Sequence, residues 1–283
     1  MPEGHVIHRL AAAFTRTFAG QAVAVTSPQG RFAAAAALLD GSVLTGAEAL
    51  GKHLLLDFAG QRTVWIHLGL IGKLRLGPLQ PPASPETLRL RVANTTHAAD
   101  LRGPQWCRLL TPAERADVVR SSGPDPLRPA ADPAPTWQRL QRSSQPLAQL
   151  LLDQKLFAGV GNIFRIEVLF RHAIDPHLPG KHLPAAVFAS VWADLVELMT
   201  HAVRTGSIDT VAPAHLPAAM GRPQRDDAHG GEVYAYRRAG QACYVCGNPI
   251  ARETLAGRNL FWCPTCQPAG SRGTPSPATW PTA

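Results

Sequence analysis

Lysine is scarce in this 283-residue chain. Of its 28 lysines and arginines only Lys52, Lys73, Lys155 and Lys181 are lysines, so arginine carries the net charge of +8. The pI is about 9.8. Guanidinium forks suit phosphate better than flexible ammonium groups do, and the expected partner is polyanionic. No apolar run reaches 18 residues and no basic-then-apolar leader opens the chain, which excludes a sequence-evident membrane span. The expectation is a soluble, intracellular protein with no membrane partner. Cysteine is sparse and uneven. Four of five fall within 24 residues near the C-terminus and Cys107 stands alone, which excludes a disulfide framework. The histidines show no paired metal or triad spacing. Nucleophile-elbow, P-loop and dinucleotide fingerprints are also missing.

What remains is organised by periodicity. Residues 3–18 carry Ile7, Leu10, Phe14 and Phe18 at helical spacing, and Gly20 ends that run. From 21 to 110 the period falls towards two. Residues 53–58 and 63–68 flank Ala59-Gly60-Gln61-Arg62, a hairpin signature. Residues 87–92 alternate apolar with arginine. The expectation is an antiparallel sandwich or flattened barrel behind a leading helix. Residues 111–136, rich in Pro, Ala, Asp and Ser, read as a linker holding one short helix near 112–120. Helices are expected over 146–154, 163–172 and 185–205, with a glycine turn at 157–162. Residues 206–232 look irregular. The fold class is α+β and multi-domain. Its boundaries are 1–115 for the β-sandwich, 116–136 for the linker, 137–232 for the helical domain, 233–267 for a cysteine ribbon and 268–283 for a disordered tail.

Cys243-Tyr-Val-Cys246, sixteen residues, then Cys263-Pro-Thr-Cys266 is the most specific local signal. Two close thiolate pairs fit one tetrahedral Zn²⁺, and a closed four-cysteine set makes it structural. Arg252 and Arg258 lie between the pairs and Arg237 and Arg238 just before them. The ribbon is thus either a phosphate contact or a folding staple with a solvated arginine face. Gly159-Val160-Gly161-Asn162 precedes a helix, where free amides favour an anion; a merely tight turn reads the same way. Lys52, before a strand, is a phosphate ligand or an edge lysine that blocks aggregation. Leu70, in a glycine-rich loop, is a wedge between bases or a core leucine. At the start, Pro2-Glu3 is an ordinary helix beginning. It is also, once Met1 is removed, a secondary amine with a pKa near 8 beside a carboxylic acid. Such an amine can attack an aldehyde-like carbon while the acid moves protons.

Together these motifs, in this order across residues 1–267, resemble the formamidopyrimidine-DNA glycosylase/endonuclease VIII family. Met-Pro-Glu-Gly-His, Gly51-Lys52-His53-Leu54, Asp100-Leu101-Arg102-Gly103-Pro104 and Phe261-Trp262-Cys263-Pro264 look most like its actinobacterial endonuclease VIII branch. The resemblance implies a bifunctional glycosylase and abasic-site lyase of base excision repair, with a helix–two-turn–helix domain and a zinc ribbon. Pro2 would be the nucleophile, Glu3 the acid, and Lys52 a third catalytic residue. Asn162 and Arg258 would grip phosphates, and Leu70 and Arg102 would lie in the loops that fill the void after base extrusion. The 102–105 loop departs from the form of the 8-oxoguanine enzymes, and 206–232 has no recognisable purine-capping loop. Gly4 leans towards endonuclease VIII. Oxidised pyrimidines in double-stranded DNA are the implied substrate, with 8-oxoguanine or formamidopyrimidine lesions as the alternative. A non-catalytic damaged-DNA binder is the other reading. The resemblance further implies a bacterial, cytoplasmic, nucleoid-associated monomer.

Overall fold

The computed structural model describes residues 2–227 and 231–277. Two compact units divide between Ser122 and Gly123. In chain order the first unit holds α1 (Gly4–Phe18), β1 (Gln21–Ala22), β2 (Ala24–Thr26), α2 (Ala33–Leu39) and β3 (Val43–Leu50). Next come β4 (His53–Phe58), β5 (Arg62–His67), β6 (Lys73–Pro78), β7 (Leu88–Ala93), β8 (His97–Arg102), β9 (Trp106–Leu110) and α3 (Pro112–Ser121). The strands form two antiparallel sheets, ordered β1-β3-β4-β5-β9 and β2-β7-β8-β6.

The period of two decides what each face buries. Leu54, Leu56, Phe58, Val64 and Ile66 turn inward from the first sheet and meet Leu90, Val92, Ala99 and Leu101 from the second. The apolar stripe of α1 (Ile7, Ala11, Phe14, Phe18) joins the same core. Each fully buried Leu or Phe there contributes about 1.5–3 kcal/mol of transfer free energy. On the sheet's other face Leu50, Leu55 and Leu110 pack under Val118 of α3. Thr111 and Glu114 close a capping box at the start of α3, and Arg115 bonds Asp57 (3.1 and 3.0 Å) and Glu48 (2.7 Å).

The second unit holds α4 (Ala134–Leu140), α5 (Leu147–Leu150), α6 (Asn162–Arg171), α7 (Ala185–Thr205), α8 (Pro217–Met220), β10 (Ala251–Leu255) and β11 (Arg258–Trp262). Gly206 (φ +85°) caps α7 where the sequence places its end. By length and composition α7 resembles a membrane span. Its apolar face is nevertheless core, and its Asp194 takes two 2.8 Å bonds from Arg171 of α6.

Three expectations change. The helix expected at 146–154 stops after α5, and Asp153 caps the following turns through Lys155 N. Residues 123–136 are seated on the second unit: Gly123 N bonds Gln154 O, Ala158 N bonds Pro124 O, and the Thr136 hydroxyl bonds Leu156 O. Buried Asp125 accepts from Leu127 N, so a Pro- and Asp-rich stretch becomes a fixed turn. The expected tail also starts docked. Asp175 accepts from Gly270 N, Ser271 O accepts from Asp175 N, and Thr274 N bonds His172 O. Residues 278–283 lie outside the described residues.

Candidate active site and metal centre

In the first unit, α1 begins one residue later than its periodicity suggests, with Glu3 as an extended N-cap. The Glu3 side chain does not cap the helix, although it is only 2 % exposed. This carboxyl is therefore buried at the positive end of a helix without making a capping bond. His5, in the first turn, is buried, and its pKa falls to about 4 through burial first and then the Arg9 and His8 charges. It is therefore neutral at pH 7.

Lys52 sits with Gly51 (φ +57°) in the two-residue turn between β3 and β4. Its charge reaches two rings on the outer sheet face. His53 is lowered to about 4, by burial first, then by His67 and Lys52. His67 is lowered by burial and Lys52. His53 and His67 are register partners with centroids 5.3 Å apart, and Trp106 stacks on His67 at 4.4 Å.

Beyond His67 the chain makes the expected glycine-rich loop. Leu70 is 70 % exposed, so the core reading of this leucine is excluded. Ile71, which sequence reasoning passed over, is 78 % exposed. Two adjacent exposed aliphatic side chains at a loop tip suit insertion into a stacked duplex. Arg102 is turned elsewhere: its guanidinium donates to Thr87 Oγ1 (3.2 Å), Asp100 Oδ2 (3.5 Å) and Ala83 O. It holds the 79–87 segment rather than projecting from the loop that follows it.

In the second unit the glycine turn is braced by Gln154, whose Nε2 donates to Leu152 O and Val160 O while Oε1 accepts from Gly159 N. Gly159 has φ +89° and Gly161 precedes α6 in extended form. Asn162 Nδ2 donates to Asn259 O (3.0 Å), and so does Arg165 Nη2 (3.2 Å). One carbonyl of β11 thus ties the start of α6 to the residue after Arg258. The β10–β11 turn, Ala256 (φ +49°) and Gly257 (φ +73°), presents Arg258 at its exit. Arg238 is different. It is 2 % exposed, bonded to Tyr234 O and Ala242 O (2.6 Å), and stacked 3.4 Å over Tyr244.

The four cysteine sulfurs lie within 4.8 Å of one another. Cys243–Cys266 is 3.8 Å and Cys246–Cys263 3.4 Å, close to the roughly 3.8 Å edge of a tetrahedron with 2.3 Å Zn–S bonds. Val245 N and Cys266 N donate to Cys243 Sγ and Cys263 Sγ at 3.5 Å, the knuckle bonds that orient thiolates. The donor set fits a structural Zn²⁺ held by Cys243, Cys246, Cys263 and Cys266.

Sequence reasoning missed Glu167. This fully buried carboxylate accepts from Tyr234 N (2.7 Å), Ala235 N (2.9 Å), Tyr236 N (2.9 Å) and the Thr210 hydroxyl (2.6 Å). The available signal was two opposite charges, Arg165 and Glu167, inside the apolar run 163–170.

Comparison with known proteins bears on the fold and the metal centre. Residues 1–105 match the formamidopyrimidine-DNA glycosylase N-terminal domain, 122–212 its H2TH domain, and 240–269 the zinc finger found in FPG and IleRS. Endonuclease 8 1 of Mycobacterium tuberculosis is 46% identical over 276 residues, covering 94% of this chain and all of that protein. Formamidopyrimidine-DNA glycosylase of Parasynechococcus marenigrum is 32% identical over 77% of this chain and 79% of its own length. The crystal structure of the MutM (Fpg) protein from Thermus thermophilus superposes with a TM-score of 0.74 at 28% identity, over 95% of this chain and all of that one.

Proposed function

The chain belongs to the formamidopyrimidine-DNA glycosylase/endonuclease VIII family, and from that premise we propose how its own residues carry out glycosylase and abasic-site lyase chemistry in base excision repair. After Met1 removal the Pro2 nitrogen attacks C1′ of an extruded nucleotide. The C1′–N bond breaks and the base leaves with its electron pair, taking up a proton. Glu3 protonates the ring oxygen as the C1′–O4′ bond opens, which leaves an iminium on Pro2. That cation acidifies the C2′ proton; its loss expels the 3′ phosphate, and a second elimination releases the 5′ side.

The observation that carries this reading is the Glu3 carboxyl, buried next to Pro2 at the head of α1. A helix N-terminus beside the amine disfavours its protonated form. Lys52, Asn162 and Arg258 grip phosphates; Leu70 and Ile71 enter the stack. Oxidised pyrimidines are the preferred lesions, a reading favoured by 46% identity to an endonuclease 8 against 32% to a formamidopyrimidine-DNA glycosylase.

Borohydride trapping on a duplex with one abasic site tests the chemistry. The mature chain gives a covalent adduct, and protein retaining Met1 gives none. A mature chain beginning at Pro2 that never traps sinks the proposal. Duplexes carrying thymine glycol, 5-hydroxyuracil, dihydrouracil and 8-oxoguanine then rank the lesions; fastest excision of 8-oxoguanine overturns the pyrimidine preference.

A further inference from the structure

The tip at Leu70 and Ile71 is held both from within its loop and from the neighbouring loop. Gly69 has φ +70°, and a Cβ on Gly72 would fall 2.2 Å from Leu68 O, so the tip is a tight turn closed by the 3.1 Å bond from Gly72 N to Leu68 O. Its base is closed from outside by one residue of the neighbouring loop. Gln105 N donates to His67 O at 2.9 Å. The Gln105 side chain lies against the 68–72 loop. It also fills the space beside Gly69, where an added Cβ would stand 2.9 Å from Gln105 Cβ and 3.3 Å from Oε1. Trp106, the next residue, stacks on His67, and the two are register partners across β5 and β9. The Ile71 side chain lies 3.9 Å from the position of a Cβ on Gly103.

We propose that Gln105 is the positioning residue of the wedge: it locks the 68–72 loop to the sheet through His67 and Gly69, so that Leu70 and Ile71 are presented in a single orientation. The inference rests on the proposed role of that loop in DNA. A wedge has to be ordered before it meets the duplex, because ordering it during insertion is subtracted from the contact energy. The backbone bond to His67 O and the packing beside Gly69 supply that order without Gln105 itself entering the stack. The 102–105 loop thereby acquires a role through the wedge, with Arg102 turned away to Thr87 and Ala83.

The test uses the full chain and a duplex containing a tetrahydrofuran abasic-site analogue, with 2-aminopurine placed opposite it. Its fluorescence rises when a side chain enters the stack. Leu70→Ala and Gln105→Gly each slow the rise by about tenfold or more, since an ångström of misplacement is enough for that, and the double variant is no slower than the worse single one. Gly69→Ala, which pushes the loop off Gln105, behaves like Gln105→Gly and provides a second route if that variant fails to fold. Gln105→Met, which keeps the packing beside Gly69, stays near the wild-type rate. Wild-type rates in both Gln105→Gly and Gly69→Ala overturn the proposal. So do losses in Gln105→Gly and Leu70→Ala that multiply, because Gln105 then touches DNA independently. Tetrahydrofuran cannot form the iminium, so failed borohydride trapping leaves this readout intact. A wild-type chain that gives no rise refutes the wedge and the proposal with it.

Discussion

Replacing Glu167 with glutamine should loosen the second unit without removing an atom of bulk. The carboxylate satisfies three consecutive backbone amides and one hydroxyl in a place without solvent. Glutamine keeps one acceptor oxygen and turns an amide nitrogen towards the other donors. On the bonding seen here, Oε1 serves Ala235 and Tyr236 and Oε2 serves Tyr234 and Thr210. One pair therefore loses its acceptor, and the Thr210 hydroxyl can rotate to accept instead. About one to two buried donors stay unsatisfied at roughly 1–3 kcal/mol each, so the expected loss is about 2–4 kcal/mol. Glu167→Ala strands all four donors and costs more. Urea unfolding of the zinc-loaded chain, followed by tryptophan fluorescence and by release of zinc to a chromogenic chelator, measures the change. The two probes should shift together, because residues 234–236 lead directly to Cys243. A Glu167→Gln loss under about 1 kcal/mol refutes the reasoning, since that is the scale of one ordinary neutral hydrogen bond.

Acid should destabilise the first unit. His5 and His53 fall from 6.5 to about 4 on folding, so the unfolded chain binds protons that the native state refuses. Stability is intact above pH 6.5 and drains away as pH falls towards 4, by at most about 3 kcal/mol per group; a urea midpoint flat across that window contradicts this. Chelating the zinc, or Cys263→Ser, should unfold the ribbon and abolish tight DNA binding while the β-sandwich keeps its own transition, read by two-step thermal melting. Arg258→Ala should lower the slope of log affinity against log salt by about 0.9, one phosphate contact, and an unchanged slope removes Arg258 from the phosphate list. Truncation after Gln267 should expose the second unit to proteolysis near 172–175, because Asp175 and His172 lose their bonds to Gly270, Ser271 and Thr274; wild-type resistance argues otherwise.

Local patterns were readable where local physics governs. The two-residue alternation of β4 and β5, the stop at Gly206 and the paired cysteines follow from steric and coordination rules acting over a few residues. The apolar run at 146–154 suits a helix or a buried turn equally, so its pattern overstates the length of α5. Residues 123–136 looked like linker because their anchors, such as Leu156 O for Thr136, are distant in sequence. The arginines near the ribbon were indistinguishable by type, yet Arg238 is buried beneath Tyr244 and Arg258 stands at a turn.

Sequence by itself determined the chemical inventory: a proline that can become an amine, a neighbouring acid, a four-sulfur metal site, and arginine in place of lysine. These depend on side-chain identity and short spacing, which survive without a fold. Tertiary structure decided which copies of the same residue type do which work. It turned Arg102 towards Thr87, sank Arg165 and Glu167 into the second core, and raised Leu70 and Ile71 into solvent. It also closed Gln105 over Gly69, a contact between residues 36 apart that exists only because β9 pairs with β5.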